Sequence, residues 1–151
     1  MMGVMALDRV AGLPTWLLSR ANARSQEILG TAFAEEGVRG YHYRLLAALA
    51  QYGALSQAEM GRCTGSDRKD VAVAVAELES GELLARTPDP DDARRRIVSI
   101  TARGSARLHR LDRVLQRVQT DVLAPLTTDE RRTLLVLLDK LLAHDATGAH
   151  D

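Results

Sequence analysis

The chain is short of cysteine, of aromatic residues and of net charge, and each shortage removes a class of protein. A single cysteine, Cys63, permits no internal disulfide and fits a reducing compartment. One Trp, three Tyr and one Phe among 151 residues leave the core to Leu, Ala and Val, a composition that favours helices. Lys and Arg number 20 against 20 Asp and Glu, so the formal charge is zero and the whole chain has no pull on polyanions. No apolar run approaches a membrane span, and Met1-Met2-Gly3-Val4-Met5 is too soon interrupted by Asp8 and Arg9 to act as a signal peptide. A cytoplasmic protein without membrane contact is expected. Four histidines and the cysteine are scattered, with no paired metal ligands, no Ser/His/Asp arrangement and no Gly-rich phosphate loop, so no enzyme, metal or cofactor is expected.

What is present concentrates in residues 55–101. Ser56-Gln57-Ala58-Glu59 is a capping box that opens a short helix, with Leu55 and Met60 placed to close its first turn as a hydrophobic staple. Gly65 tolerates the positive φ that a tight helix-to-helix turn needs. A second helix then starts at Ser66 or Asp67 and stops at Gly81. Val71, Ala74, Val75 and Leu78 recur at helical spacing and form its inward face, leaving Arg68, Lys69, Ala72, Val73 and Ala76 outside. An outward Ala-Val-Ala strip suits a DNA groove, where apolar groups touch thymine methyls while Arg68 and Lys69 reach bases or phosphates. The plain alternative is that Ala fills helix positions well.

Beyond Gly81 the pattern becomes a strand, Leu83-Leu84-Ala85-Arg86-Thr87, then a turn at Pro88-Asp89-Pro90-Asp91-Asp92, then a returning strand through Arg96, Val98 and Ile100. Eighteen of the 20 basic residues are Arg, and three of them, Arg94, Arg95 and Arg96, crowd the tip. Guanidinium forks suit phosphate. Two helices, a tight turn and a charged hairpin make a winged helix-turn-helix.

The residues of the wing resemble those of the MarR (multiple antibiotic resistance regulator) transcription factors. Asp89-Pro90-Asp91-Asp92-Ala93-Arg94, then Val98-Ser99-Ile100-Thr101 and Gly104, is similar to that family's Asp-Pro-x-Asp-x-Arg tip followed by Leu-Thr-x-x-Gly. Upstream, Leu55-Ser56-x-x-Glu59 and Leu78-Glu79-x-Gly81 fall where the family places related motifs. The resemblance implies a homodimer whose recognition helices enter successive major grooves of a pseudo-palindromic operator in double-stranded DNA. Ser66, Asp67, Arg68, Lys69, Ala72 and Val73 would face the major groove, Arg94 the minor groove, and Arg95 and Arg96 the backbone. Asp89 and Asp92 would be scaffold of the wing rather than DNA contacts. Release by a small aromatic effector, bound between the dimerisation helices and the winged domain, is also implied. Two departures stand out: Val73 and Glu77 occupy outer positions where the family often carries Arg or another polar residue, and no N-terminal peroxide-sensing cysteine is present. Cys63 reads as a small apolar residue near the motif's core.

The flanks are helical. Pro14 suits the first turn of a helix running to about Glu36, with Gly37 as its stop, and a second helix spans about Tyr41 to Tyr52 with Leu45, Leu46 and Leu49 inward. Trp16, Tyr41, His42 and Tyr43 either line an effector pocket or simply pack. After Thr101, Leu108, Leu111, Leu115, Val118 and Val122 form one stripe of a long helix. Arg103, Arg107, Arg110, Arg113 and Arg117 form another, read as a solvated face or, near the wing, as phosphate contacts. Pro125 ends that helix, and Thr127-Thr128-Asp129-Glu130 caps a last one whose Leu134, Leu137, Leu138 and Leu141 belong to apolar residues wrapping nearly its whole circumference. One small subunit cannot cover such a helix, so a dimer interface is expected there.

The fold class is therefore mostly α with a small β-hairpin wing. Residues 1–36 and 102–144 are assigned to dimerisation, 38–101 to DNA, and 145–151 to a loose tail. The expected function is a homodimeric sequence-specific DNA-binding regulator that represses transcription. The alternative is a helical dimeric module that binds a protein or small molecule and has lost DNA recognition, favoured by the zero charge and opposed by the triple-Arg tip.

Overall fold

Capping chemistry sets where the helices begin. Ser56 Oγ accepts the Glu59 N–H at 3.2 Å and Glu59 returns to the Ser56 N–H at 2.7 Å, which holds the Glu59 carboxyl below its ordinary pKa. Asp67, the second of the two expected caps, accepts from the Lys69 N–H at 2.6 Å, and Thr101 from the Gly104 N–H at 3.0 Å. Thr127 and Glu130 form the last reciprocal box. In the computed structural model, which describes residues 7–145, these caps head a run of α1 (Pro14–Glu35), α2 (Gly40–Tyr52), α3 (Gln57–Thr64), α4 (Arg68–Ser80), β1 (Leu84–Pro88), β2 (Arg96–Ile100), α5 (Ala102–Val122) and α6 (Thr128–Asp145). The fold is the mostly helical one with a hairpin wing that the sequence predicts. The expectations for residues 1–6 and for the tail at 146–151 lie outside the described residues.

The core sits where α2, α4, α5 and the base of the hairpin meet. Leu45, Leu46 and Leu49 of α2 pack with Val71, Val75 and Leu78 of α4, and with Leu84, Val98 and Leu111. Each such side chain contributes about 1.5–3 kcal/mol over an exposed one. Two backbone contacts fix the hairpin to this core. Leu55, just before α3, exchanges hydrogen bonds with Val98 at 3.0 and 2.7 Å. At Gly104 a Cβ would lie 1.9 Å from the Leu83 carbonyl oxygen, so only glycine lets α5 start against β1.

Several expectations need correction. Pro88 closes β1, opposite Arg96, instead of starting the turn; at a strand end its missing N–H breaks no ladder. Cys63 is exposed: α3 buries Met60, with Gln57, Gly61 and Thr64 half-buried on the same arc, and Cys63 falls off the edge of that arc. On α5 the buried stripe includes Val114, while Leu115 is only half-buried.

The arginine stripe of α5 is a tie to α1. Arg110 Nε meets Glu36 Oε2 at 2.7 Å, and Arg107 reaches both the Glu36 carbonyl and, at 3.7 Å, its carboxylate. The Arg110 hydrogen bond holds the Glu36 carboxyl below its ordinary pKa. Arg103 pairs with Glu82 at 3.2 Å. The wing-proximal arginines thus have acidic partners within their own chain.

Candidate nucleic-acid interface

The turn between α3 and α4 is set by Gly65 at φ 65° and by the Ser66 N–H, which donates to the Gly61 carbonyl at 3.1 Å. That closes the turn and leaves the start of α4 outward. Ser66 is half-buried here, and the Asp67 carboxylate is committed to the cap. Arg68, Lys69, Ala72, Val73 and Ala76 are exposed on the face opposite Val71, Ala74, Val75 and Leu78. Val73 is 54% exposed, an apolar surface with no packing partner to explain it.

Glu77, the next residue along that outer face, does something the sequence did not reveal. Its Oε2 accepts from His42 Nε2 at 2.6 Å and from the Tyr41 hydroxyl at 3.2 Å. The His42 tautomer follows from the other ring nitrogen, because the Arg39 N–H donates to Nδ1 at 3.1 Å and the proton must then sit on Nε2. This contact keeps the Glu77 carboxyl below its ordinary pKa and ties α4 to α2. No spacing rule connects residues 35 apart.

The wing tip is built by its aspartates. Asp89 Oδ1 accepts the Asp91 N–H at 2.9 Å, and Asp92 Oδ1 the Arg94 N–H at 3.0 Å. Cross-tip bonds from the Asp89 N–H to the Arg95 carbonyl and from the Arg95 N–H to the Asp92 carbonyl, both 2.9 Å, complete the turn. With both carboxylates spent on backbone donors, Arg94, Arg95 and Arg96 are exposed and have no ion-pair partner among the described residues. Arg86, lower on the hairpin, is instead paired with Glu79 of α4. The surface is thus a neutral chain's local concentration of unpaired guanidinium.

The four residues expected to line an effector pocket do not come together. Tyr41 and His42 face Glu77, whereas Tyr43 stacks on Phe33 at 5.7 Å and donates to Asp112 at 2.9 Å. Burial, with that hydrogen bond, raises the Tyr43 pKa. Trp16 is half-buried on α1, 17 residues before Phe33 and hence about 25 Å along the helix from it at 1.5 Å per residue. Of the four, His42 alone lines a cleft of about 910 Å³. At the other end of the molecule, Leu134 and Leu138 of α6 are half-buried and Leu137 and Leu141 exposed.

Comparison with known proteins bears on this surface directly. The sequence model described as MarR family matches residues 36–95, the stretch from the end of α1 to the wing tip. The HTH-type transcriptional repressor NicR of Pseudomonas putida is 30% identical over 129 residues, covering 85% of this chain and 82% of NicR. This chain belongs to the MarR family. It is a transcriptional regulator by that membership. Among solved structures, the PcaV transcriptional regulator of Streptomyces coelicolor superposes with a TM-score of 0.77 at 28% identity, covering 88% of this chain and 97% of that one. Bordetella bronchiseptica BpsR, whose DNA binding is regulated by 6-hydroxynicotinic acid, gives 0.72 at 26% identity, covering 84% and 96%. No helix among the described residues is long and apolar enough to cross a membrane.

Proposed function

We propose that this MarR-family regulator is a cytoplasmic homodimeric repressor that binds a pseudo-palindromic operator and leaves it when a small aromatic compound binds. The observation that carries the DNA reading is the wing tip: two aspartates engaged by the turn and three exposed arginines that form no ion pair among the described residues. In this reading Arg94 enters the minor groove, Arg95 and Arg96 lie along the backbone, and Ser66, Arg68, Lys69, Ala72 and Val73 meet the major groove. Asp67, Asp89 and Asp92 hold shape without touching DNA. Residues 38–101 read the operator, and 1–36 with 102–144 pair the subunits.

Support for pairing comes from α6, where Leu135, Val136, Leu137, Leu141 and Leu142 are all more than half exposed in one subunit, more apolar surface than a stable monomer leaves bare. The effector reading is supported by the likeness to BpsR, whose DNA binding 6-hydroxynicotinic acid regulates, and to PcaV, also solved with its natural ligand. Selection of bound duplexes from a random pool tests the core of the proposal. The expected product is a twofold-symmetric site with half-sites about 10 bp apart; absence of any enriched sequence would overturn it.

A further inference from the structure

At 3.6 residues per turn, Lys69, Val73, Ala76 and Ser80 of α4 fall within about 60° of one another, opposite the buried Val71, Ala74, Val75 and Leu78. All four are exposed and form the outer crest of the helix. Acidic side chains stand only on its flanks, Asp70 and Glu77 on one side and Glu79 on the other. Beyond the first turn the crest carries no charge: it offers Val73, 54% exposed, then Ala76, then the Ser80 hydroxyl.

Both acids of the later turns are engaged by the chain itself. On one flank Glu77 Oε2 accepts from His42 Nε2 at 2.6 Å and from the Tyr41 hydroxyl at 3.2 Å, both on α2. On the other, Glu79 pairs with Arg86 of β1. A free glutamate on this face would select cytosine, whose N4 amino group donates in the major groove, and would be repelled by phosphate. With both carboxylates drawn aside, α4 presents a methyl surface beyond its first turn. Thymine is the base that answers it, because its 5-methyl lies on the major-groove edge and cytosine has none.

We propose that Val73 is the specificity-determining residue of α4, seated against a thymine 5-methyl of the half-site, and that His42 and Arg86 hold Glu77 and Glu79 off the bases so that this contact decides. The inference rests on the regulator reading and names the base chemistry for it. Ala72 and Ala76, on either side of Val73, are small enough to let the base edge come close. Polar readout is left to Arg68 and Lys69 in the first turn. Arg94, Arg95 and Arg96, which form no ion pair among the described residues, supply the attraction to the duplex, and the crest of α4 supplies the choice of base.

The duplex enriched from the random pool is the probe, with each thymine of one half-site replaced in turn by deoxyuridine, which pairs identically and lacks only the methyl. At one thymine the full chain is expected to lose about fourfold in affinity, the worth of one buried methyl-sized group. Val73→Ala should bind the unmodified duplex several-fold more weakly and show no further loss with deoxyuridine at that thymine. Val73→Thr, which keeps one methyl in place, should retain part of the response. A merely structural Val73 predicts equal deoxyuridine losses in parent and Val73→Ala, and that result overturns the proposal. Glu77→Gln keeps an acceptor for His42 and should leave base preference unchanged at every position. A switch from cytosine to adenine at one position would place this side chain in the groove and overturn the proposal as well. An enriched duplex whose thymines all tolerate deoxyuridine sinks this inference alone, whereas a pool without any enriched sequence sinks the regulator reading beneath it.

Discussion

α4 and α6 are both Leu-, Val- and Ala-rich helices, yet they meet opposite fates. In α4 Val71, Ala74, Val75 and Leu78 share one face and are buried to within 3% of complete inside their own subunit, while only the smaller Ala72, Val73 and Ala76 are left exposed opposite them. In α6 they surround the helix, no described side chain is buried, and Leu142 is 72% exposed. A one-sided stripe is satisfied by one core, whereas an all-round one requires two covers, and this subunit supplies at most one. The difference teaches that the middle of the chain is a finished object and its end an unfinished one.

The sharpest way to break the finished half is Gly104→Ala. A Cβ there meets the Leu83 carbonyl, a backbone atom that no rotamer change can move, so a loss of about 3 kcal/mol or more in urea unfolding is expected. The unfinished half responds differently. Leu137→Asp with Leu141→Asp places charges on positions 52% and 57% exposed in one subunit, so subunit folding should survive while association weakens by a hundredfold or more in sedimentation, about 3 kcal/mol.

Within the finished half, Arg94→Ala should cost operator affinity about 1–3 kcal/mol at fixed salt, since the exposed side chain forms no ion pair among the described residues. Lys69→Ala should weaken binding evenly across sequences and lower the salt slope by about 1; an unchanged slope would remove Lys69 from the phosphate contacts. The smallest effect concerns pH. Glu36 and Glu77 both have folded pKa values below the ordinary 4.5, so they contribute stability above that value and lose it as pH falls through the folded one. Glu77 is solvent-screened and Glu36 pairs with partly exposed arginines, so Glu36→Gln should only slightly flatten the acid limb of the urea midpoint against pH.

The features legible in the sequence were the local ones. Ser56 with Glu59, Asp67, Thr101, and Thr127 with Glu130 act within three residues, and their capping needs no knowledge of the fold. The aspartate scaffold of the tip is local too, and its motif also carried the family resemblance. What escaped was pairing across distance: Glu77 with His42, Leu55 with Val98, and Glu36 with Arg110, the last 74 residues apart. Periodicity placed Arg107 and Arg110 on one face correctly but says nothing about which acid faces them. The same blindness grouped Trp16 with Tyr41, His42 and Tyr43, because composition cannot register distance along a rigid helix. Cys63 was misread for a subtler reason, since a short helix offers too few turns for its inward arc to be centred from sequence.

The claim on which the comparison depends is that α6 is finished by a second copy of the chain. Light scattering on the full chain at micromolar concentration tests it most directly, together with the urea midpoint measured over a range of protein concentrations. The account predicts a particle of about twice the 16.5 kDa chain mass, with a midpoint that rises with concentration. A folded 16.5 kDa particle with a concentration-independent midpoint would contradict it.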